Sequence, residues 1–251
     1  MNKILIFGAG HQAQKYIHFF GKYGLNIEVV TYSGLLRKDN NQILAIHSFS
    51  SIQEQGTEFF SQFQYIIVAV SPLDEQEKVL QLLLNHDSKT PTIIEKPITY
   101  NHNTLEKILS KDSFLFFIDE SVLSRFINSI EINNIHISTP KDRSIIEHSL
   151  GAFLLCPYFD SIINKISFEY IPQEGHMDSM SYSVTINNTI SLECDCGKYY
   201  FGGKYISENL FEVNLKFLLT QGFGKMIDTD ILRTNYFLLD NFLDSIDFPQ
   251  M

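Results

Sequence analysis

The chain has 251 residues, 44% of them hydrophobic and 19% charged, proportions that exclude disorder and collagen-like repeats. Acidic residues outnumber basic ones, 29 to 19, and the net charge of −10 is an unfavourable field for nucleic acid or an anionic membrane surface. The length suits one large domain or two small ones and excludes a large multidomain machine.

Lys3 to Phe7 reads as a first strand, followed by a glycine turn and a helix from about His11 to Lys22. Ile27 to Thr31 is a second strand. Tyr65 to Val70 is an unbroken apolar run, the pattern of a strand buried on both faces of a parallel sheet. A helix is expected next, with Ser71 at the cap, Pro72 at the first helical position and Asp74 three residues after the cap. Leu73, Leu80, Leu83 and Leu84 supply its buried side. Thr92 to Ile94 is another strand, Leu105 to Leu109 another helix and Phe114 to Ile118 another strand. This alternation predicts a Rossmann-type α/β domain, a doubly wound parallel sheet, over residues 1–119.

From residue 120 the pattern changes. An apolar helical stretch runs from about Ser144 to Ile163, and strands follow at Ile166 to Ile171, Ser181 to Ile186, Ile190 to Cys194 and Tyr199 to Ile206. Asn187-Asn188 and Gly202-Gly203 mark turns between them. A closing helix, about Asp230 to Ser245, places Leu232, Tyr236, Leu239 and Phe242 or Leu243 on one side. The expectation is a smaller α+β domain with a mainly antiparallel sheet over residues 120–251, joined to the first without a flexible tether.

The chemistry starts at Gly8-Ala9-Gly10-His11-Gln12-Ala13, a GxGxxA sequence between the first strand and the first helix. The first glycine permits a tight turn, the second lets a pyrophosphate approach the backbone, and the small sixth residue allows close helix–strand packing. Helix N-terminal amides then supply the positive pole that an acidic protein otherwise lacks. At the end of the second strand, Thr31-Tyr32-Ser33 has no acid to bind the adenosine ribose hydroxyls. Ser33 and Arg37, with Lys38 beside them, instead suit a 2′-phosphate, which favours NADP, with NAD as the other possibility. The turn after the third apolar strand adds Ser71 to the cofactor-binding candidates. Glu95-Lys96-Pro97 ends the fourth, where open α/β sheets bind ligands, and a lysine there can bond the nicotinamide ribose, polarise a substrate oxygen and assist proton transfer. Glu95 and Lys96 complete the cofactor-binding set with Gly8, Gly10, His11 and Gln12.

GAGHQA, VAVSPLDEQEKVLQLLL and IIEKPIT, in this order across residues 3–99, resemble the Gfo/Idh/MocA family of nicotinamide-dependent oxidoreductases. The resemblance implies Lys96 as the catalytic lysine, an antiparallel second domain that forms the substrate pocket, and a homo-oligomer, most simply a dimer, built through that domain. Residues 120–247 are similar to the family in outline only. Its helical GGxxxDxGxHxxD sequence has no full counterpart here. Aligning Asp160 with the last aspartate puts Phe153 and Pro157 at the Asp and His positions. Aligning His148 with the family's histidine puts Ser144 at the aspartate position and keeps a proton-transfer group, so His148 is the second catalytic candidate.

The resemblance implies hydride transfer between nicotinamide and a small polar substrate: a sugar, a sugar nucleotide or a related carbonyl or hydroxyl compound. A reductase of a cyclic imine or other biosynthetic intermediate is one alternative, and a nucleotide-binding module without turnover is the other. Asp119, Glu120 and Arg125 are open to substrate contact or interdomain ion pairs. Tyr199, Tyr200 and Phe201 read as packing residues, and His176 as a solvated turn residue. Cys156, Cys194 and Cys196 are odd in number and read as reduced thiols, not as metal ligands. With neither a secretory signal in MNKILIFGAGHQAQKY nor a window near the ~20 apolar residues of a membrane span, a cytoplasmic location is expected.

Overall fold

The structure is a computed structural model that describes residues 3–35, 42–95, 98–99, 101–117, 134–139, 165–170, 181–188, 190–195, 198–206, 209–221, 234, 241 and 245. The chain divides into two compact units, one of Met1–Phe117 with Gln221–Gly224 and the other of Ile118–Thr220 with Lys225–Met251.

In the first unit, β1 (Lys3–Phe7), β2 (Asn26–Thr31), β3 (Ile43–Ser48), β4 (Tyr65–Val68), β5 (Thr92–Glu95) and β6 (Phe114–Phe117) form one sheet in the order β3-β2-β1-β4-β5-β6. Every neighbouring pair is parallel. The order reverses between β1 and β4, the topological switch point of a Rossmann sheet. Ile4, Leu5 and Ile6 of β1, Ile66 and Ile67 of β4, and Ile93 and Ile94 of β5 have no exposed surface, which is why these strands read as unbroken apolar runs. Five of the six strands are legible in the sequence, these three by their apolar runs. The sixth, β3, lies at the sheet edge with Leu44 and Ile46 exposed, and its half-buried pattern lacks the apolar run of a central strand.

Helix α1 (His11–Lys22) buries Ala13, Tyr16, Ile17 and Phe20, spaced for one helical face. After β3 come two short helices, α2 (Phe49–Gln53), capped by the Ser48 hydroxyl, and α3 (Thr57–Phe60). Helix α4 (Leu73–Asn85) follows β4, and Pro72 occupies its cap position with no side-chain hydrogen bond. The expected Ser71 cap is therefore displaced by one residue, leaving Ser71 exposed ahead of the helix. Helix α5 (His102–Leu109) starts where Asn101 Oδ1 accepts from the Thr104 amide at 3.2 Å. The Glu77 carboxylate of α4 joins the two helices through the Thr99 and Thr104 hydroxyls.

One ion-paired trio crosses three strands. Lys3 Nζ of β1 and His47 Nε2 of β3 each donate to the buried Glu28 carboxylate of β2 at 2.8 Å. Burial alone would push this carboxyl up, but hydrogen bonds from Lys3 and His47, with the fields of both partners, outweigh it and hold the group below the ordinary glutamate value. A depressed folded-state value contributes stability above the unfolded pKa, about 4.3, and that contribution is lost as pH falls through the folded one. Glu28→Gln should cost about 1–2 kcal/mol at pH 7 and show a smaller further loss than wild type between about pH 5 and 3. Urea unfolding across that range checks it, and parallel pH curves for the two proteins would refute the linkage.

The second unit is a six-stranded mixed sheet: β7 (Asn134–Thr139), β8 (Lys165–Tyr170), β9 (Ser181–Ile186), β10 (Ile190–Asp195), β11 (Lys198–Phe201) and β12 (Lys204–Tyr205), ordered β12-β11-β10-β9-β7-β8. Strands β9 to β12 form an antiparallel meander, with the expected strand Tyr199 to Ile206 split into β11 and β12, while the expected first member, β8, lies apart from it. The unexpected strand is β7, which enters between β9 and β8 and runs parallel to β8. Ile137 opposite Val184 and Ile135 opposite Ile186 are buried, while His136, Ser138, Ser183 and Thr185 point to the other, half-exposed face. Gly202 and Gly203, both with positive φ, make the two-residue turn between β11 and β12. The Tyr200 ring packs at a tilt against that of Tyr205, with centroids 5.5 Å apart. Helix α6 (Leu210–Gln221), opened by Asn209 Oδ1 accepting from the Glu212 amide, occupies a stretch with no helix expected. Its mixed apolar sequence gives no single stripe, although Phe211 and Leu215 are buried. The expected helix at 144–163 lies outside the described residues, as does most of the one at 230–245. Among the described residues no helix is long and apolar enough to cross a membrane.

Candidate cofactor site

The carboxyl ends of β1, β2, β4 and β5 gather Gly8, Gly10, Ser33, Ser71 and Glu95 along one edge of the sheet, because parallel strands end on the same side. The turn after β1 is fixed from two directions. The Gly8 amide donates to the Val30 carbonyl at the end of β2 (2.9 Å), and the Ala69 amide after β4 donates to the Phe7 carbonyl (3.0 Å). Gly8 has φ +111°, and a Cβ there would stand 2.2 Å from the Ala69 carbonyl oxygen. That position is a requirement of the fold.

Gly10 is different. It caps α1 in extended backbone (φ −71°, ψ −174°), offers no side chain to the helix amides, and has nothing within 4 Å of where a Cβ would point. The first turn of α1 carries no acid, while Lys22 stands in its last. An anion beside Gly10 would therefore meet open space, main-chain donors and the positive end of the helix dipole. His11 is exposed at this end.

At the end of β2, Ser33 is exposed, Gly34 turns the chain at φ +72°, and Tyr32 and Leu35 are 76% and 73% exposed. No acid stands from Thr31 to Leu35. Arg37 lies outside the described residues, as do both catalytic candidates, Lys96 and His148, along with Asp119, Glu120, Arg125 and His176. Ser71 is exposed between β4 and α4.

Glu95 turns inward. It is only 6% exposed, and its Oε1 accepts from Gln12 Nε2 at 2.8 Å and from the Tyr16 hydroxyl. Gln12 and Glu95, both expected to face a cofactor, use these groups on each other and so tie the end of β5 to α1. On the other side Gln76 Nε2 of α4 donates to the carbonyls of Glu95 (3.3 Å) and Ile98 (2.9 Å). Neither Tyr16 nor Gln76 was singled out from the sequence. Both had a signal, since each is a polar group at a core-facing position of its helix, beside Ile17 and Phe20 in α1 and Val79 and Leu80 in α4. Among the described residues, no three His, Cys, Asp or Glu gather as a metal site requires.

No family pattern matches the sequence, and no curated protein does. Solved structures do match in fold. The WlbA (WbpB) dehydrogenase from Thermus thermophilus, crystallised with NAD and UDP-GlcNAcA, superposes with a TM-score of 0.63 at 9% identity, over 100% of this chain and 97% of that one. The myo-inositol 2-dehydrogenase from Lactobacillus plantarum gives 0.55 at 9% identity over 97% and 96%. The dehydrogenase MviM from Clostridium difficile gives 0.54 at 13% over 97% and 99%. These are dehydrogenases of the Gfo/Idh/MocA type, and the resemblance read from the three sequence stretches is borne out as a likeness of fold.

Proposed function

We propose that this chain is a nicotinamide-dependent oxidoreductase acting on a sugar, a sugar nucleotide or a related polyol or carbonyl compound. The observation that carries the reading is the open, uncapped end of α1 at Gly10, at the switch point of a six-stranded parallel sheet. The fold is that of dehydrogenases, one of which holds NAD and a UDP-sugar acid in its crystal. The bound dinucleotide supplies or accepts the hydride. The chain's own residues do the rest: the α1 amides bind the pyrophosphate, Ser33 and Arg37 recognise a 2′-phosphate, Lys96 polarises the substrate heteroatom, and His148 exchanges its proton. Self-association through the second unit is part of the same proposal.

Fluorescence titration with NADH and NADPH tests the reading, followed by a panel of keto sugars and imines. Binding of neither cofactor at tens of micromolar, about 6 kcal/mol of affinity, overturns it. Binding without oxidation of NADPH or NADH by any compound would favour a binding module. Arg37→Ala should weaken NADPH by about tenfold and leave NADH unchanged, as loss of one charge-assisted contact predicts; equal losses would refute the 2′-phosphate role.

Gly10→Val separates fold from binding. The extended backbone and the empty space beside Gly10 accept a side chain, so thermal stability should stay within about 1 kcal/mol of wild type. Cofactor affinity should fall by more than about tenfold, because the new methyls occupy the pyrophosphate's place. Undiminished NADH binding in a folded Gly10→Val protein would exclude this end of α1 as the phosphate site.

A further inference from the structure

We infer that Tyr16 and Glu95 are positioning residues for the phosphate-binding end of α1: the buried carboxylate at the end of β5 anchors the first two turns of that helix through Gln12 and Tyr16. The contact stands on its own geometry, while its purpose rests on the oxidoreductase reading.

The end of α1 that would receive a pyrophosphate is built from small residues. Gly10 caps it with no side chain, no acid stands in its first turn, and Ala13 is the first residue it buries. The smallness that admits an anion also removes packing. Ala13 brings one methyl group to the core, whereas Tyr16, Ile17, Phe19 and Phe20 fill it from the second turn onward. A helix end with neither a side-chain cap nor an apolar anchor frays. Here a polar anchor takes their place. Strand pairing sets Ile6 beside Ile67 and Ile67 beside Ile93, and alternation along β5 puts the Glu95 side chain on the sheet face of these three residues. A carboxylate buried at such a position is costly unless its oxygens are used. Oε1 accepts from Gln12 Nε2 at 2.8 Å and from the Tyr16 hydroxyl. Residues 12 and 16 lie one turn apart on one face of the helix, so a single oxygen grips two successive turns. Hydrogen bonds to a carboxylate are stronger than those between neutral groups. Tyr16 itself has no exposed surface, so it acts on a ligand only through the placement of the helix. An anion site gains affinity when its donors are ordered before the ligand arrives, because the ordering is then part of folding and not of binding.

The test follows amide hydrogen exchange in the free protein at Gln14, whose amide donates to the Gly10 carbonyl at 3.1 Å, with Phe19 and Phe20 farther along α1 as internal references. Tyr16→Phe keeps the ring and removes the hydroxyl. It should speed exchange at Gln14 by about fivefold or more and leave Phe19 and Phe20 unchanged, as expected of a local opening. Glu95→Leu should do so more strongly, and Glu95→Gln, which keeps an acceptor oxygen, should recover most of the protection. Unchanged exchange at Gln14 in Tyr16→Phe, or equal acceleration at all three amides, overturns the inference. NADH titration supplies a second arm. Tyr16→Phe should weaken NADH binding by about three- to tenfold, although the altered group lies in the core. Wild-type NADH affinity in a Tyr16→Phe protein with faster exchange at Gln14 also overturns the positioning role. If wild type binds no NADH, the oxidoreductase reading falls, and the exchange result still decides whether the carboxylate anchors this end of the helix.

Discussion

Gly8→Ala should strongly destabilise the first unit rather than merely weaken cofactor binding. The added Cβ would lie 2.2 Å from the Ala69 carbonyl oxygen and 2.9 Å from its carbon, both main-chain atoms that no rotamer change can move. Relief requires the end of β4 to retreat, which breaks the Ala69-to-Phe7 hydrogen bond, or the turn itself to swing, which breaks the Gly8-to-Val30 bond. The φ of +111° adds a torsional cost for any residue with a side chain. Together the overlap, the strain and one lost buried hydrogen bond come to about 4 kcal/mol or more, a large part of the 5–15 kcal/mol that a domain has. Thermal melting should show a fall of roughly 10 °C or more, and the cofactor should not rescue it fully. A Gly8→Ala protein with wild-type melting and wild-type NADH affinity would refute this account of the turn. Placed beside the folded, non-binding Gly10→Val protein, it assigns the first glycine to the sheet and the second to the ligand.

That division explains how much could be read in advance. The glycine turn was legible because its conformational demands leave few residue choices. The strands β1, β4 and β5 were legible because burial on both faces leaves an apolar run. Edge and half-buried elements were not. Strand β3 exposes Leu44 and Ile46, and β7 alternates Asn134, His136 and Ser138 with Ile135, Ile137 and Thr139, too short a pattern to stand out. The helix cap after β4 fell to Pro72 because the strand ends early, at Val68, and the helix starts one residue later than the serine suggests. At the site, residue type named Glu95 but not its direction. A carboxylate at a strand end can face a ligand or the protein, and the choice was made by Tyr16 and Gln12, 79 and 83 residues away in sequence. Long-range pairing of this kind has no local signature.

Lys96→Ala is the substitution expected to act most strongly on chemistry while sparing the fold. At the end of β5 the Gln76 amide donates to the carbonyls of Glu95 and Ile98, and the Glu95 carboxylate accepts from Gln12 and Tyr16 of α1. None of these described contacts is made by the lysine side chain, so its truncation should leave β5 in place. The pyrophosphate site proposed at Gly10 does not involve it either, and NADH affinity should therefore change by no more than about threefold, the share of one ribose contact. Turnover with any substrate found should fall by about 10²–10⁴, the usual contribution of a general acid or base. Lys96→Arg adds a control, because a guanidinium keeps the charge but cannot release its proton at ordinary pH. Recovery of the rate with arginine would reduce the lysine's part to electrostatic polarisation. Continued loss would make the proton itself the necessary contribution. Wild-type turnover by Lys96→Ala would remove the lysine from the reaction altogether.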